Sequence, residues 1–247
     1  MAETNVQTWT VGADALALEL WPDVFVPTST SELLASTLDI QQGDVVIDLG
    51  CGSGFLAIVA AKRGASKVYA IDVMPRAAEL TRRNVERNGV ASCVEVLTGS
   101  LFEPLTDVRA DLIIDDVSAI AEETARLTPW YPQTIPSGGS DGASPTVAML
   151  GAAPRHLLPG GRLIFPVLSL ANEQRILDRA KEIFAELRMR AQRLFPIPKT
   201  LQDALGRLTQ HLSAGALRLV QRGSRQCWQL RIFEARRGSN EEPAPHG

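Results

Sequence analysis

Val45-Val46-Ile47-Asp48-Leu49-Gly50-Cys51-Gly52-Ser53-Gly54, running directly into Phe55-Leu56-Ala57-Ile58-Val59-Ala60-Ala61, decides how the rest of this chain is read. Its β-branched start spells a short buried strand, and its apolar, alanine-rich end spells a helix. Between them Gly50, Gly52 and Gly54 alternate, which lets the backbone turn tightly and lets a ligand lie against it. The helix that follows aims its unpaired N–H groups over that loop. Asp48, beside the loop, disfavours a phosphate and suits a ligand that carries an ammonium or a hydroxyl. The stretch reads as a cofactor loop.

Outward from it, the helix ends at Gly64, a C-terminal cap residue after Lys62-Arg63. Val68-Tyr69-Ala70-Ile71 reads as a second strand with Asp72 at its carboxyl end, and Pro75 opens a helix that runs to Asn88-Gly89. Cys93–Leu97 and Asp111–Asp115 read as two further strands, and Arg162–Phe165 as a fifth, bent at its end by Pro166. Strand and helix alternate, which is the pattern of a parallel sheet covered on both faces. Ligands of such sheets sit beyond the carboxyl ends of the strands, so Asp48, Asp72, Ser100 and Asp115 fall along one rim.

Residues 1–40 form an arm before this domain, with a short strand expected at Val24-Phe25-Val26 and a helix capped by Ser29 or Thr30 running to about Leu38. The arm either shields the sheet or closes over the site as a lid. Residues 41–237 are expected to form one α/β domain. Within it, residues 124–143 make a long loop rich in Pro, Gly and aromatics, of the kind that usually carries function. Helices are expected from Thr146 to Leu157, from Asn172 to Leu187 and, as an insertion, over 200–213. Strands around 189–194 and 227–233 suggest an antiparallel pair at one edge, and 238–247 reads as a disordered tail.

Composition narrows the class. Of the 247 residues 45% are hydrophobic, enough for a sizeable core, and the formal net charge of −3 argues against broad binding to nucleic acid or to anionic membranes. Arg82, Arg83 and Arg87, and later Arg188, Arg190 and Arg193, read as solvated faces. Cys51, Cys93 and Cys227 have no paired spacing, and the three histidines have no metal-ligand spacing, so neither a disulfide framework nor a metal is expected. A polar N-terminus without an apolar leader, and no run of membrane-spanning length, make a cytoplasmic protein the default.

Two cofactor classes compete for the glycine loop. A dinucleotide fingerprint needs glycine at position 55, where this chain has Phe55. Asp48-Leu49-Gly50-Cys51-Gly52-Ser53-Gly54, with Asp72 ending the next strand, instead resembles motif I of the class I S-adenosylmethionine-dependent methyltransferases. The resemblance covers roughly residues 24 to 170. Val46–Asp72 is similar to the ribosomal-protein and protein-arginine methyltransferases. Phe25–Leu34 and Gly138-Gly139-Ser140-Asp141-Gly142 are more similar to the release-factor glutamine methyltransferases.

The resemblance implies a Rossmann-like, seven-stranded, mostly parallel sheet with helices on both faces and an antiparallel last strand. It implies that Gly50, Cys51, Gly52 and Gly54 form the loop under S-adenosyl-L-methionine, with Asp48 facing its amino group and Asp72 holding its ribose. By the same resemblance Val73 and Met74 sandwich the adenine, Ser100 and Leu101 lie at its edge, and Thr28 or Thr30 closes over the carboxylate.

The resemblance breaks at the acceptor motif. Glutamine methyltransferases carry Asn-Pro-Pro-Tyr after the fourth strand of the domain, and here that position reads Asp115-Asp116-Val117-Ser118. No acceptor is inherited, therefore. Asp115, Asp116 or Tyr131 could accept the proton of an amine nucleophile, or the two aspartates could simply cap the next helix. Trp130 and Tyr131 could face a cation or fill a folded lid.

The reading is a methyltransferase acting on a small molecule or a protein side chain. One alternative keeps the cofactor and attacks its γ-carbon, releasing 5′-methylthioadenosine by aminocarboxypropyl transfer or by self-cyclisation to azetidine-2-carboxylate. Another is a cofactor-binding partner protein without catalysis.

Overall fold

The computed structural model of the protein describes residues 5–128, 131–132, 134–199, 201–203, 205 and 215–238. The chain opens with a hairpin, β1 (Val6–Val11) and β2 (Asp14–Glu19), turned at Gly12 with φ +61°. Then come α1 (Ser29–Thr37), β3 (Val45–Leu49), α2 (Phe55–Lys62), β4 (Lys67–Asp72), α3 (Pro75–Arg87), β5 (Val94–Thr98) and β6 (Ala110–Asp115). After α4 (Glu122–Leu127) and α5 (Ser144–Ala152), β7 (Leu157–Leu168), α6 (Glu173–Ile183), β8 (Glu186–Pro196), β9 (Val220–Arg222) and β10 (Arg225–Arg236) complete it.

The main sheet has the order β5-β4-β3-β6-β7-β10-β8, with β9 paired to β10 outside that path. β5, β4, β3, β6 and β7 run parallel, whereas β10 lies antiparallel between β7 and β8. This is the expected Rossmann-like architecture with its antiparallel last strand. The reason lies in the composition of the central strands: Val46, Ile47 and Leu49 of β3 and Leu112, Ile113 and Ile114 of β6 are wholly buried, as a sheet covered on both faces requires. α2 covers one face with Phe55 through Ala60 all buried, and α3 presents Ala77, Leu80 and Val85 inward and its arginines outward. The chain leaves β3 toward β4 and β5 and then returns to β6 on β3's other side, which opens a crevice between the ends of β3 and β6.

Several local expectations need correcting. Residues 24–26 form no strand; the regular structure of the arm is the earlier β1–β2 hairpin, followed by α1. The hairpin is held by α3, whose Asn84 side chain bonds both the N–H and the carbonyl of Glu19 (2.7 and 3.0 Å), while Asn88 does the same for Ala17 (3.1 and 2.8 Å). These amides take the place of a neighbouring strand at an otherwise bare edge. Thr28, not Ser29 or Thr30, caps α1, in a capping box with Ser31. The helix expected to reach Leu157 stops at Ala152, because Pro154 supports a separate 3₁₀ turn over Ala153–His156. β7 extends through Pro166, which lies beyond its last pairing with β6. The expected insertion over 200–213, Trp130 and the tail after 238 lie wholly or mostly outside the described residues.

Candidate cofactor and acceptor site

A cleft of about 910 Å³ opens at the carboxyl ends of the strands, where the topology puts it. Its floor is the glycine loop. The N–H groups of Gly50 and Cys51 both donate to the carbonyl of Ile71 (2.9 and 3.0 Å), so the loop after β3 is anchored on the end of β4. Gly50 adopts φ +75°, and a Cβ there would stand 2.9 Å from the carbonyl oxygen of Asp116 and 3.1 Å from Cα of Val117. Only glycine fits both that turn and that contact. Gly54, at φ +84°, leads into α2 and lies behind the floor against Thr81.

Asp72 stands at the rim. Its Oδ2 accepts the Gly52 N–H and its Oδ1 the Met74 N–H, each at 2.9 Å. Burial raises its pKa against the lowering by those two donors. Gly50, Cys51, Gly52, Asp72, Val73, Met74, Ser100, Leu101, Thr28 and Thr30 all line the cleft, so the residues expected around the cofactor come together on one surface.

Asp48 and Asp115 do not reach the wall. Both are wholly buried at the ends of the adjacent strands β3 and β6. Among the described residues neither oxygen of Asp48 has a hydrogen-bond partner, although the first-turn N–H of Ala57 faces it, and Asp115 Oδ2 is equally unpartnered. Burial, with the nearby charges of Asp116 and Asp72, pushes Asp48 up to about 8. Burial likewise drives Asp115 well above the ordinary carboxylate range. Asp116 does line the cleft, and its Oδ2 accepts a 2.6 Å hydrogen bond from Ser31 Oγ. Its pKa rises to about 7, chiefly through desolvation, against the lowering by Ser31. The next helix, α4, starts at Glu122 behind Ala121, so Asp115 and Asp116 are not its cap.

Two wholly buried carboxylates, Asp48 and Asp115, and a half-buried one, Asp116, thus surround the Gly50 turn with no cationic side chain bonded to any of them among the described residues. Charge of this kind is costly unless a cation arrives or a proton is held. On the wall itself Asp116 and Asp72 are the charged side chains among the described residues, and an acidic wall of this kind fits a positively charged ligand, as a sulfonium with an α-amino group is.

Tyr131 lines the cleft with its ring, edge-on to Phe25 at 5.2 Å. Its hydroxyl is engaged with the Pro136 carbonyl (2.5 Å) and Ser118 Oγ (2.9 Å), and burial raises its pKa. That hydroxyl pins the loop after α4 to the loop after β6. Sequence reasoning missed Ser31, Ser118, Ile120, Phe195 and Trp228, all on the cleft wall. Phe195 and Trp228 are cross-strand partners whose rings stack 4.5 Å apart. They come from β8 and β10, strands without any motif.

The family model for ribosomal protein L11 methyltransferase (PrmA) matches residues 27–148. A release factor glutamine methyltransferase of Geobacter sulfurreducens is 34% identical over 154 residues, covering 58% of this chain and 52% of the relative. The chain thus spans about half the length of that relative, and about a third (32%) of ribosomal protein L11 methyltransferases that it matches. Among solved structures, the ribosomal protein L11 methylase of Lactobacillus delbrueckii subsp. bulgaricus aligns with a TM-score of 0.55 at 19% identity, over 87% of this chain and 81% of that one. The 16S rRNA N2 G1207 methyltransferase of T. thermophilus, solved with AdoMet and guanosine, aligns at 0.59 and 15% identity, over 94% and 50%. At these identities the solved structures speak for the fold, and the sequence matches cover the glycine loop and its surroundings. In fold and in glycine loop the chain is similar to the class I S-adenosylmethionine-dependent methyltransferases.

Proposed function

We propose that the protein is an S-adenosylmethionine-dependent methyltransferase acting on a small molecule or a protein side chain. The observation that carries the reading is an acidic cleft wall, with Asp72 and Asp116 as its charged side chains among the described residues, beside a glycine turn that tolerates no side chain. Bound there, S-adenosylmethionine would supply an electrophilic methyl group on a sulfonium, whose departure as a neutral thioether needs no acid. Gly50, Cys51 and Gly52 would carry its methionine part, Asp72 its ribose, Val73 and Met74 its adenine with Ser100 and Leu101 at the edge, and Thr28 or Thr30 its carboxylate.

The rest of the chain's work is placement. Asp116, on the wall and half-ionised near neutrality, is the group suited to take a proton from the acceptor; Asp115 lies too deep, and the Tyr131 hydroxyl is engaged elsewhere. The arm, residues 1–40, supplies one wall of the cleft through Val24–Ser31, and residues 41–237 the remainder, which supports keeping that division.

A second reading has its own observation. Asp116 is packed against Gly50, next to where the methionine part would lie, in a chain without the Asn-Pro-Pro-Tyr motif. A carboxylate there could deprotonate the cofactor's own α-amine, so that the γ-carbon is attacked and 5′-methylthioadenosine leaves. Incubation with S-adenosylmethionine and mixed amines and alcohols, read by mass spectrometry beside Asp72→Ala, tests both. S-adenosylhomocysteine absent from the variant supports methyl transfer, excess 5′-methylthioadenosine supports the second reading, and neither product rejects both.

A further inference from the structure

At about 910 Å³ the cleft is near the top of the range of about 300 to 1,000 Å³ over which ligand pockets run. Beyond the glycine loop its wall changes character. Phe25 comes from the arm, Ile120 from the loop after β6, Tyr131 from the loop after α4, Phe195 from β8 and Trp228 from β10. Phe25, Phe195 and Trp228 are only partly buried, so aromatic surface is left facing the cleft. Among the described residues lining the whole cleft, the charged side chains are two carboxylates, Asp72 and Asp116, and there is no Lys, Arg or His.

Asp116 is therefore the one charge beside the aromatic chamber. Ser31 occupies its Oδ2, while Oδ1 has no hydrogen bond among the described residues. A phosphate or carboxylate entering here would meet like charge and no cation to offset it. A strongly polar body would lose its water against aromatic rings without compensation.

We propose that this chamber binds a hydrophobic amine: a single amino group carried on an apolar body the size of an aromatic ring. The inference rests on the methyltransferase reading only for the name "acceptor"; the binding itself does not depend on it. The ammonium pairs with Asp116 Oδ1, and the body lies against the rings of Phe195 and Trp228. Loss of one N–H proton to that carboxylate leaves a neutral amine with its lone pair free and Asp116 as the neutral acid. The same chemistry is carried by a free arylalkylamine and by a peptide whose first residue is phenylalanine.

The test is a binding experiment on the full chain, by calorimetry and tryptophan fluorescence, with and without S-adenosylhomocysteine so that no turnover occurs. The probes are phenethylamine, a tetrapeptide beginning with phenylalanine, ethanolamine, 2-phenylethanol and 3-phenylpropionate. The expected result is that phenethylamine or the peptide binds at least about 10-fold tighter than ethanolamine and 3-phenylpropionate, and the tighter of the two identifies the source. Asp116→Asn should lose that preference over 2-phenylethanol, and Trp228→Ala should weaken the amine about 10-fold while leaving S-adenosylhomocysteine binding unchanged. Phe195→Leu is the milder cut in the same stack and carries the test if Trp228→Ala does not fold. Equal binding of ethanolamine or of 3-phenylpropionate overturns the proposal, as does no binding of either aromatic amine. Failure of S-adenosylhomocysteine to bind counts against the methyltransferase reading instead, since the amine titrations are also run without it.

Discussion

Ser31 Oγ donates a 2.6 Å hydrogen bond to Asp116 Oδ2 across 85 residues of sequence. The bond joins the first turn of α1 to the loop after β6, so the arm and the rim of the sheet share one polar contact at the cleft. It also holds down the pKa of a carboxylate that burial pushes up to about 7. Removing the donor should therefore move that pKa further up. For Ser31→Ala we expect the rising limb of the pH–rate profile to shift to higher pH, with a loss of about 1.5–3 kcal/mol in stability, the usual worth of a hydrogen bond to a charged group. Rates across pH 6–9 and a denaturant titration check both halves.

Asp72 should control cofactor affinity. Its two oxygens order Gly52 and Met74 and still have lone pairs for a diol. Asp72→Ala removes a partner for two hydroxyls, and two charged hydrogen bonds at about 1.5–3 kcal/mol each amount to at least about 100-fold in the dissociation constant of S-adenosylmethionine. Calorimetry measures it directly.

Buried Asp48 and half-buried Asp116 make the ligand-free protein sensitive to alkali. Asp48 and Asp116 titrate at about 8 and about 7 in the fold, against an ordinary value of 3.8. Between these values the native state holds protons that the unfolded chain has already released, so stability falls as pH rises from about 4 to about 8. Asp48→Asn keeps the shape and drops the charge. At pH 8 it should raise Tm by at least about 2–4 °C, the shift that 1 kcal/mol makes in a chain of this length, and at pH 4 it should change little. Melting curves at the two pH values decide it.

Gly50→Ala should fail for a steric reason alone. A methyl group at φ +75° and 2.9 Å from the Asp116 carbonyl must push β3's loop and β6's loop apart. Strain of about 1–3 kcal/mol is expected from the backbone conformation before the clash is counted. Loss of stability by denaturant titration, together with loss of cofactor binding, is the outcome to look for. Gly160→Ala, at φ +76° with open space around it, separates the two contributions, because it carries the backbone strain without the contact.

The sheet was legible because strand and helix periods alternate cleanly from Val45 to Phe165, and because the glycine loop marks where the ligand side lies. The β1–β2 hairpin is marked locally only by a turn glycine between Val6–Val11 and Asp14–Glu19; its pairing is completed by Asn84 and Asn88, which no local pattern connects to it. The same limit applies at the site. Gly50, Asp72 and Met74 sit within one βαβ unit, and their spacing encodes their meeting. Ser31 with Asp116, Phe25 with Tyr131, and Phe195 with Trp228 meet only through tertiary folding. Asp48 and Asp115 illustrate the reverse error: a residue at the end of a strand can point beneath the rim, and alternation along five or six residues is too short to settle which way.

β10 lies between β7 and β8, and it is the strand that brings Trp228 to the cleft. The glycine loop and the residues proposed for the ribose and adenine, by contrast, all come from residues 50–101. One half of the cleft is thus written in a single run of sequence and the other in scattered single residues on separate elements. Drift in the scattered half can change what enters without disturbing the contiguous half, so acceptor preference is free to diverge between relatives long before their shared motif does.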